Sequence, residues 1–154
     1  MDSILRSEMN SVRDQCDRID YPGVPGERRL RDTCRMELGH FLLYIACAAP
    51  FPTMEQAMMI SSVWTGVHPS VSRGQMQEEL DSLTLPDVYE NETLTAFIRA
   101  GKAERLIRLY RIYGRYMADI SRNAAAEGRC SRYLEKMEKR AAEPEGLTNG
   151  NSDE

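Results

Sequence analysis

The sequence predicts an all-α protein, a compact single-domain bundle of six or seven helices. Three observations carry this. Apolar residues recur three or four positions apart along nearly the whole chain, the spacing of one helix face. No stretch alternates as a half-buried strand would, and β-branched residues are few. Proline, glycine and capping residues then divide the pattern into helix-length pieces. The 154 residues suffice for one core but not comfortably for two.

The elements follow in order. Residues 3–18 form a first helix with Ile4, Met9, Val12 and Cys16 on its inner side. YPGVPGE, residues 21–27, is a loop, because so dense a run of prolines and glycines cannot hold helix. A second helix carries Leu30, Cys34, Leu38, Phe41, Leu42 and Ile45 and stops before Pro50, which has no backbone donor. Thr53 and Gln56 have capping-box spacing and open a third helix through Ala57, Met58, Ile60, Ser61 and Trp64. Phe51, just before it, is expected to staple into the core, and Met54, Met58 and Met59 are expected to fill it. Ser72 and Gln75 repeat the capping spacing before a fourth helix with Met76, Leu80 and Leu83. A short fifth helix starts near Asn91 and carries Leu94, Phe97 and Ile98.

The sixth helix spans about residues 102–121. Leu106, Leu109, Tyr110, Ile112, Tyr113, Tyr116, Met117 and Ile120 cover more than half of its wheel, and Arg108, Arg111, Arg115 and Arg122 fall together in the narrow arc that remains. It should be buried on most sides, with one basic stripe in water. Residues 124–140 make a seventh helix through Cys130, Tyr133, Leu134 and Met137. The sequence therefore divides into an N-terminal helix and Pro/Gly loop (1–28), a helical domain (29–141) and a disordered acidic tail (142–154), whose EPEGLTNGNSDE has almost nothing to bury.

Charge and cysteine content narrow the function. The net charge of −4 conceals a basic segment, residues 99–140, with 12 Lys/Arg against 5 Asp/Glu. Between Gly74 and Ile98 there are six acidic residues and no basic one. Such polarity either steers a partner or is neutralised within the fold. Cys16, Cys34, Cys47 and Cys130 are widely spaced with no CxxC pair, which argues against a zinc ribbon, a redox motif or a disulfide scaffold. No apolar run approaches the roughly 20 residues of a membrane span, and no secretory signal is expected, so the predicted setting is a bacterial cytoplasm without membrane insertion.

When the chain is slid along itself, Phe41 can be laid on Tyr113, Tyr44 on Tyr116, Ala46 on Ala118 and Glu55 on Glu127, a weak internal helix–loop–helix repeat. The first copy, ELGHFLLYIACAAPFPTMEQAMMIS, resembles the first corner of the TerB-like helical domain, named for tellurite-resistance proteins. It keeps Tyr44, the cap Thr53 and the acid Glu55, with Ala49 and Pro50 where the family has Asp-Gly. The second, LIRLYRIYGRYMADISRNAAAEGRCSRYLEKME, is similar to the family's second corner through Leu106, Ile107, Leu109, Tyr110, Gly114, Asp119, Glu127 and Tyr133, with Ile120 replacing a glycine. The resemblance covers about residues 30–140 and implies a helical bundle with a two-fold repeat. It also implies divalent-metal binding at acidic corners, and a role in stress-response or membrane-linked assemblies.

The candidate metal residues are accordingly Asp119, Glu127 and Glu55, but a hard cation wants six to eight oxygens and most of the expected acids are missing. Pairing of Asp119 with Arg115 or Arg122 is the simpler expectation. No cofactor is expected beyond such a metal. His40 and His68, the only histidines, have no ligand at metal spacing, and His40 is expected as a satisfied helix residue near Glu37 and Tyr44. With no nucleophile motif or phosphate loop, no enzyme is predicted. The basic stripe Arg108, Arg111, Arg115 and Arg122 offers a partner surface, yet Glu104 shares its arc and no recognition motif accompanies it, so nucleic acid is not favoured. The expected function is a protein-interaction module, a scaffold or adaptor of TerB-like type. Two alternatives are a small regulatory or inhibitory protein, of phage or mobile-element type, docking on a nucleic-acid-handling machine, and a divalent-metal-binding stress protein.

Overall fold

Helix α2 (Leu30–Ala46) is apolar around most of its circumference, and the other helices assemble around it. In the computed structural model, residues 3–21, 29–82 and 87–143 are described. They contain α1 (Ser3–Arg18), α2, α3 (Met54–Trp64), a 3₁₀ turn at Arg73–Gln75, α4 (Met76–Ser82), α5 (Glu92–Arg99), α6 (Ala103–Ser121) and α7 (Ala124–Ala142), with no strand among the described residues. This is the all-α bundle that the spacing predicts. Among the described residues, no helix is long and apolar enough to cross a membrane. Helix α2 packs against all six of the others. Phe41 is fully buried, 5.0 Å from the Tyr110 ring of α6 and 4.9 Å from the Tyr133 ring of α7. Aromatic pairs at such distances stabilise beyond their buried area.

Two glycines set how closely helices approach one another. A Cβ on Gly39 would collide with the Trp64 indole, so the bare backbone gives α3 its seat on α2. The indole nitrogen donates to the Met36 carbonyl at 3.3 Å. A Cβ on Gly114 would meet Phe41 and Cys130 Sγ at 2.9 Å, which places α6 against both α2 and α7.

Helix ends are satisfied by named side chains. Thr53 Oγ1 accepts from the Gln56 backbone N–H at 3.0 Å. In return, Gln56 Oε1 accepts from the Thr53 backbone N–H at 2.7 Å. This is the predicted capping box. Gln75 Oε1 accepts from both the backbone and the hydroxyl of Ser72. Asn91 caps α5 by accepting from the Leu94 N–H at 2.8 Å, and its amide donates to the buried Tyr110 hydroxyl at 3.1 Å. Glu37, in the middle of α2, reaches the same helix start and accepts from Glu92 N, Thr93 N and Thr93 Oγ1 at 2.8, 3.0 and 2.6 Å. Burial pushes its carboxyl upward, while these donors pull the other way. At C-termini arginines perform the matching role, since their donors complement the exposed carbonyls and the negative end of the dipole. Arg35 donates to the Val63 carbonyl at 3.0 Å and to that of Thr65, closing α3. Arg129 stacks over Tyr44 and donates to its carbonyl at 2.6 Å, closing α2.

Several expectations are corrected. Ile4 is 59% exposed and Leu5 is buried instead, because the inward face of α1 is Leu5, Met9, Val12 and Cys16. Phe51 is 65% exposed rather than stapled. With Thr53 as N-cap, the staple positions are Pro52 and Ala57, and those two are buried. Met59 is buried as core, but Met54 and Met58 are 60% and 65% exposed. His40 is not hydrogen-bonded along its helix; both ring nitrogens are buried without a partner, and Glu37 is engaged by α5. Val12 and Cys16 of α1 are buried in the core, as their spacing predicts. The Pro/Gly loop from Pro22 onward, Leu83, and the tail from residue 144 lie outside the described residues.

Replacing Glu37 with alanine removes the acceptor of two backbone N–H groups and a hydroxyl and should lower stability by about 1–3 kcal/mol. Gly39→Ala should cost a similar amount through overpacking against Trp64, about 1–3 kcal/mol. Urea denaturation followed by the fluorescence of Trp64, the single tryptophan, measures both.

Candidate functional site

A short sequence echo that periodicity alone does not single out organises the most distinctive surface. Val12-Arg-Asp-Gln-Cys16 on α1 is matched by Leu30-Arg-Asp-Thr-Cys34 on α2. Val12, Leu30, Cys16 and Cys34 are all buried, and the Cys16 thiol lies against that of Cys34. That contact, with burial, holds the Cys34 thiol well above its ordinary range, so it is a packing group rather than a nucleophile. The paired helices thereby place Arg13 and Arg31 at one opening. One and two turns before, Met9 and Arg6 extend the α1 face at helical spacing.

These residues line a cavity of about 280 Å³, whose wall is completed by Arg35, Ser62, Val63 and Tyr113. Its floor is buried and apolar: Cys16, Cys34, Val63 and the Tyr113 ring. Tyr113 donates its hydroxyl to the Leu5 carbonyl at 2.9 Å, and burial pushes its phenol up to about 12. The rim holds four guanidinium groups and, among the described residues, no carboxylate. Arg31 is held by Asp17 through both oxygens, with Nε at 3.0 Å from Oδ1. Arg13 stands 3.9 Å from Asp14, too far for a hydrogen bond. Neither Arg6 nor Arg35 joins an ion pair among the described residues. Guanidiniums beside an apolar floor attract an anion more strongly than surface charges in open water.

A second pocket of about 340 Å³ adjoins the first and shares Ser62 with it. Leu5, Met58, Met59, Tyr116 and Glu55 complete its lining. Both hollows lie along α3, between it and α1, with α6 contributing Tyr113 and Tyr116. One end of this groove is basic; the other is mostly apolar, with Glu55 in its lining. The exposed side chains of Met54 and Phe51 lie on α3 and just before it.

Of the candidate residues predicted from sequence, Glu55 lines the groove and the others lie outside its lining. The two corners of the internal repeat do meet: Tyr116 donates to Glu55 at 3.2 Å, and Gln56 donates to Ser121. Each repeat pair shares its environment, with Phe41 and Tyr113 buried, Tyr44 and Tyr116 half-buried, Ala46 and Ala118 buried, Glu55 and Glu127 exposed. Asp119 is also exposed, and among the described residues no group of three or more His, Cys, Asp or Glu side chains, these included, is gathered as for a metal. The basic stripe is partly neutralised by its neighbours. Arg108 pairs with Glu8 of α1 at 3.0 Å and Arg111 with Glu138 of α7 at 2.7 Å, whereas Arg115 and Arg122 are exposed. Arg122 itself adopts φ 57°, the left-handed conformation that ends α6.

Compared with known proteins, the chain matches no family, no curated protein and no solved structure.

A separate cluster carries a pH dependence. The His40 ring lies edge-on to Trp64 at 5.5 Å and 6.3 Å from His68, which engages Glu79 at 2.7 Å. Burial first, then the neighbouring His68, lowers the affinity of His40 for a proton, while Glu79 opposes them. The unfolded chain therefore binds this proton more readily than the fold. The stability present above about pH 6.5 should fall as pH drops below it and through the lower folded value. Urea midpoints measured between those limits should slope less in His40→Phe than in the wild type.

Proposed function

We propose that this protein is a non-enzymatic helical interaction module that holds an acidic, amphipathic segment of a partner protein in the groove between α1 and α3. The observation that carries the reading is the sharing of Ser62 between an arginine-rimmed cavity and a pocket walled mainly by Leu5, Met58 and Met59. A segment seated there would place apolar side chains against Met58 and Met59 and acidic ones against Arg6 and Arg13. Exposed methionines suit such a role, because their unbranched side chains adapt to a partner's shape. The resemblance to TerB-like domains supports a scaffold or adaptor in a bacterial stress-response or membrane-linked assembly, and the cytoplasm as its setting.

The reading of a regulator docking on a nucleic-acid-handling machine draws on the remaining open stripe, Arg115 and Arg122. Its support is weaker because Arg108 and Arg111 already face carboxylates. Divalent-metal binding at Asp119, Glu127 and Glu55 takes no part in the proposal.

Met58→Asp and Arg13→Glu alter exposed positions at the two ends of the groove. Either should reduce capture of the partner from cell extract about tenfold or more, with the melting temperature unchanged. Lys136→Glu, exposed on α7, should leave capture intact. Undiminished capture by both groove variants would place the interaction elsewhere. Arg115→Glu combined with Arg122→Glu reports on the nucleic-acid alternative.

A further inference from the structure

The basic end of the groove has a charge imbalance that packing does not explain. Arg35 is half-buried, and two of its five N–H donors go to the Val63 and Thr65 carbonyls. The end of α3 offers it about half of a negative charge, which leaves the guanidinium undercompensated beside a floor of thiols, valine and a tyrosine ring. Around the same opening, Arg31 is matched by Asp17, while Arg6 and Arg13 bring two more cations, Arg13 having Asp14 at a loose 3.9 Å and the more distant charge of Asp17. Water screens the exposed Arg6 and Arg13, so the convergence attracts an anion without straining the fold.

We infer that this cavity binds a phosphate monoester dianion, carried on a phosphorylated serine or threonine of the partner segment. A monoester bears about −1.5 to −2 charges near neutral pH and offers three acceptor oxygens, matching more than one guanidinium fork at once. A carboxylate satisfies one fork, as Asp17 already does for Arg31, and a diester bears a single charge. The Ser62 side chain gives the rim a neutral hydroxyl. The cavity's volume of about 280 Å³ suits a headgroup rather than a whole cofactor. A tethered phosphate also uses the neighbouring pocket, which a free ion does not. This inference rests on the groove reading only for the source of the phosphate; the anion site stands on its own residues.

The test is calorimetric titration at constant ionic strength and about pH 7.5, where the monoester is a dianion. The probes are N-acetyl-phosphoserine amide, inorganic phosphate and dimethyl phosphate. The expected result is saturable binding of one phosphoserine amide per chain, weaker binding of inorganic phosphate, and none of the diester. Arg6→Gln with Arg13→Gln, both exposed, should weaken binding about tenfold or more, and the control pair Arg115→Gln with Arg122→Gln should leave it unchanged. Absence of saturable heat, equal response to dimethyl phosphate, or equal loss in the control pair would overturn the site. Inorganic phosphate binding as tightly as the amide would overturn the side-chain source. Loss of partner capture in Met58→Asp together with a silent titration would keep the interaction module and remove the phosphate; binding without any captured partner would do the reverse.

Discussion

The carboxylate of Glu37 joins the middle of the central helix to the start of α5. It is buried, and its two oxygens receive two backbone N–H groups and a hydroxyl. Together with Asn91 and the Tyr110 hydroxyl it forms a polar patch inside an otherwise apolar core, each member meeting another or a backbone group. A buried network of this kind fixes one arrangement, because any other leaves donors without water or partner. Since α2 touches every other helix, locking α5 to it constrains the whole bundle.

Arginine serves two purposes in this chain. At Arg129 and Arg35 it closes helix C-termini, and at Arg140 it reaches the Val88 carbonyl at 2.9 Å while lying over the Tyr89 ring. These contacts need the long stem as much as the charge. On α6, Arg108 and Arg111 answer acids of flanking helices, so the basic stripe is neutralised in part within the fold. Around the cavity between α1, α2 and α3, by contrast, guanidiniums outnumber their carboxylate partners at close range. That surplus, next to an apolar hollow, separates a candidate binding groove from an ordinary charged surface.

The internal repeat has a physical meaning in the folded chain. Its two corners sit together, linked by Tyr116 with Glu55, Gln56 with Ser121, and Arg129 with Tyr44. The PFP corner between α2 and α3 is thereby part of the bundle's closure, although Phe51 itself is exposed to solvent. Two glycines let the repeat pack tightly at its helices, one receiving Trp64 and the other Phe41 and Cys130.

The sequence by itself determined the helices. Their spacing of apolar residues, the Thr53–Gln56 box, Asn91 and the prolines act over three or four residues, and such local geometry is written directly in the chain. It also contained the paired Arg-Asp-x-Cys turns of α1 and α2, legible once cysteine is treated as a packing residue. Tertiary structure decided the rest. Whether Leu5 or Ile4 faces inward depends on the angle at which α1 meets α6, a rotation of one residue that periodicity barely resolves. The exposure of Phe51, Met54 and Met58 was hidden because apolar type signals burial only on average. The cavity was hidden for a deeper reason: its guanidiniums come from α1 and α2, its closing hydroxyl from α3 and its floor partly from α6. Charge at one point in space is a sum over elements far apart in the chain, and only their packing performs that sum.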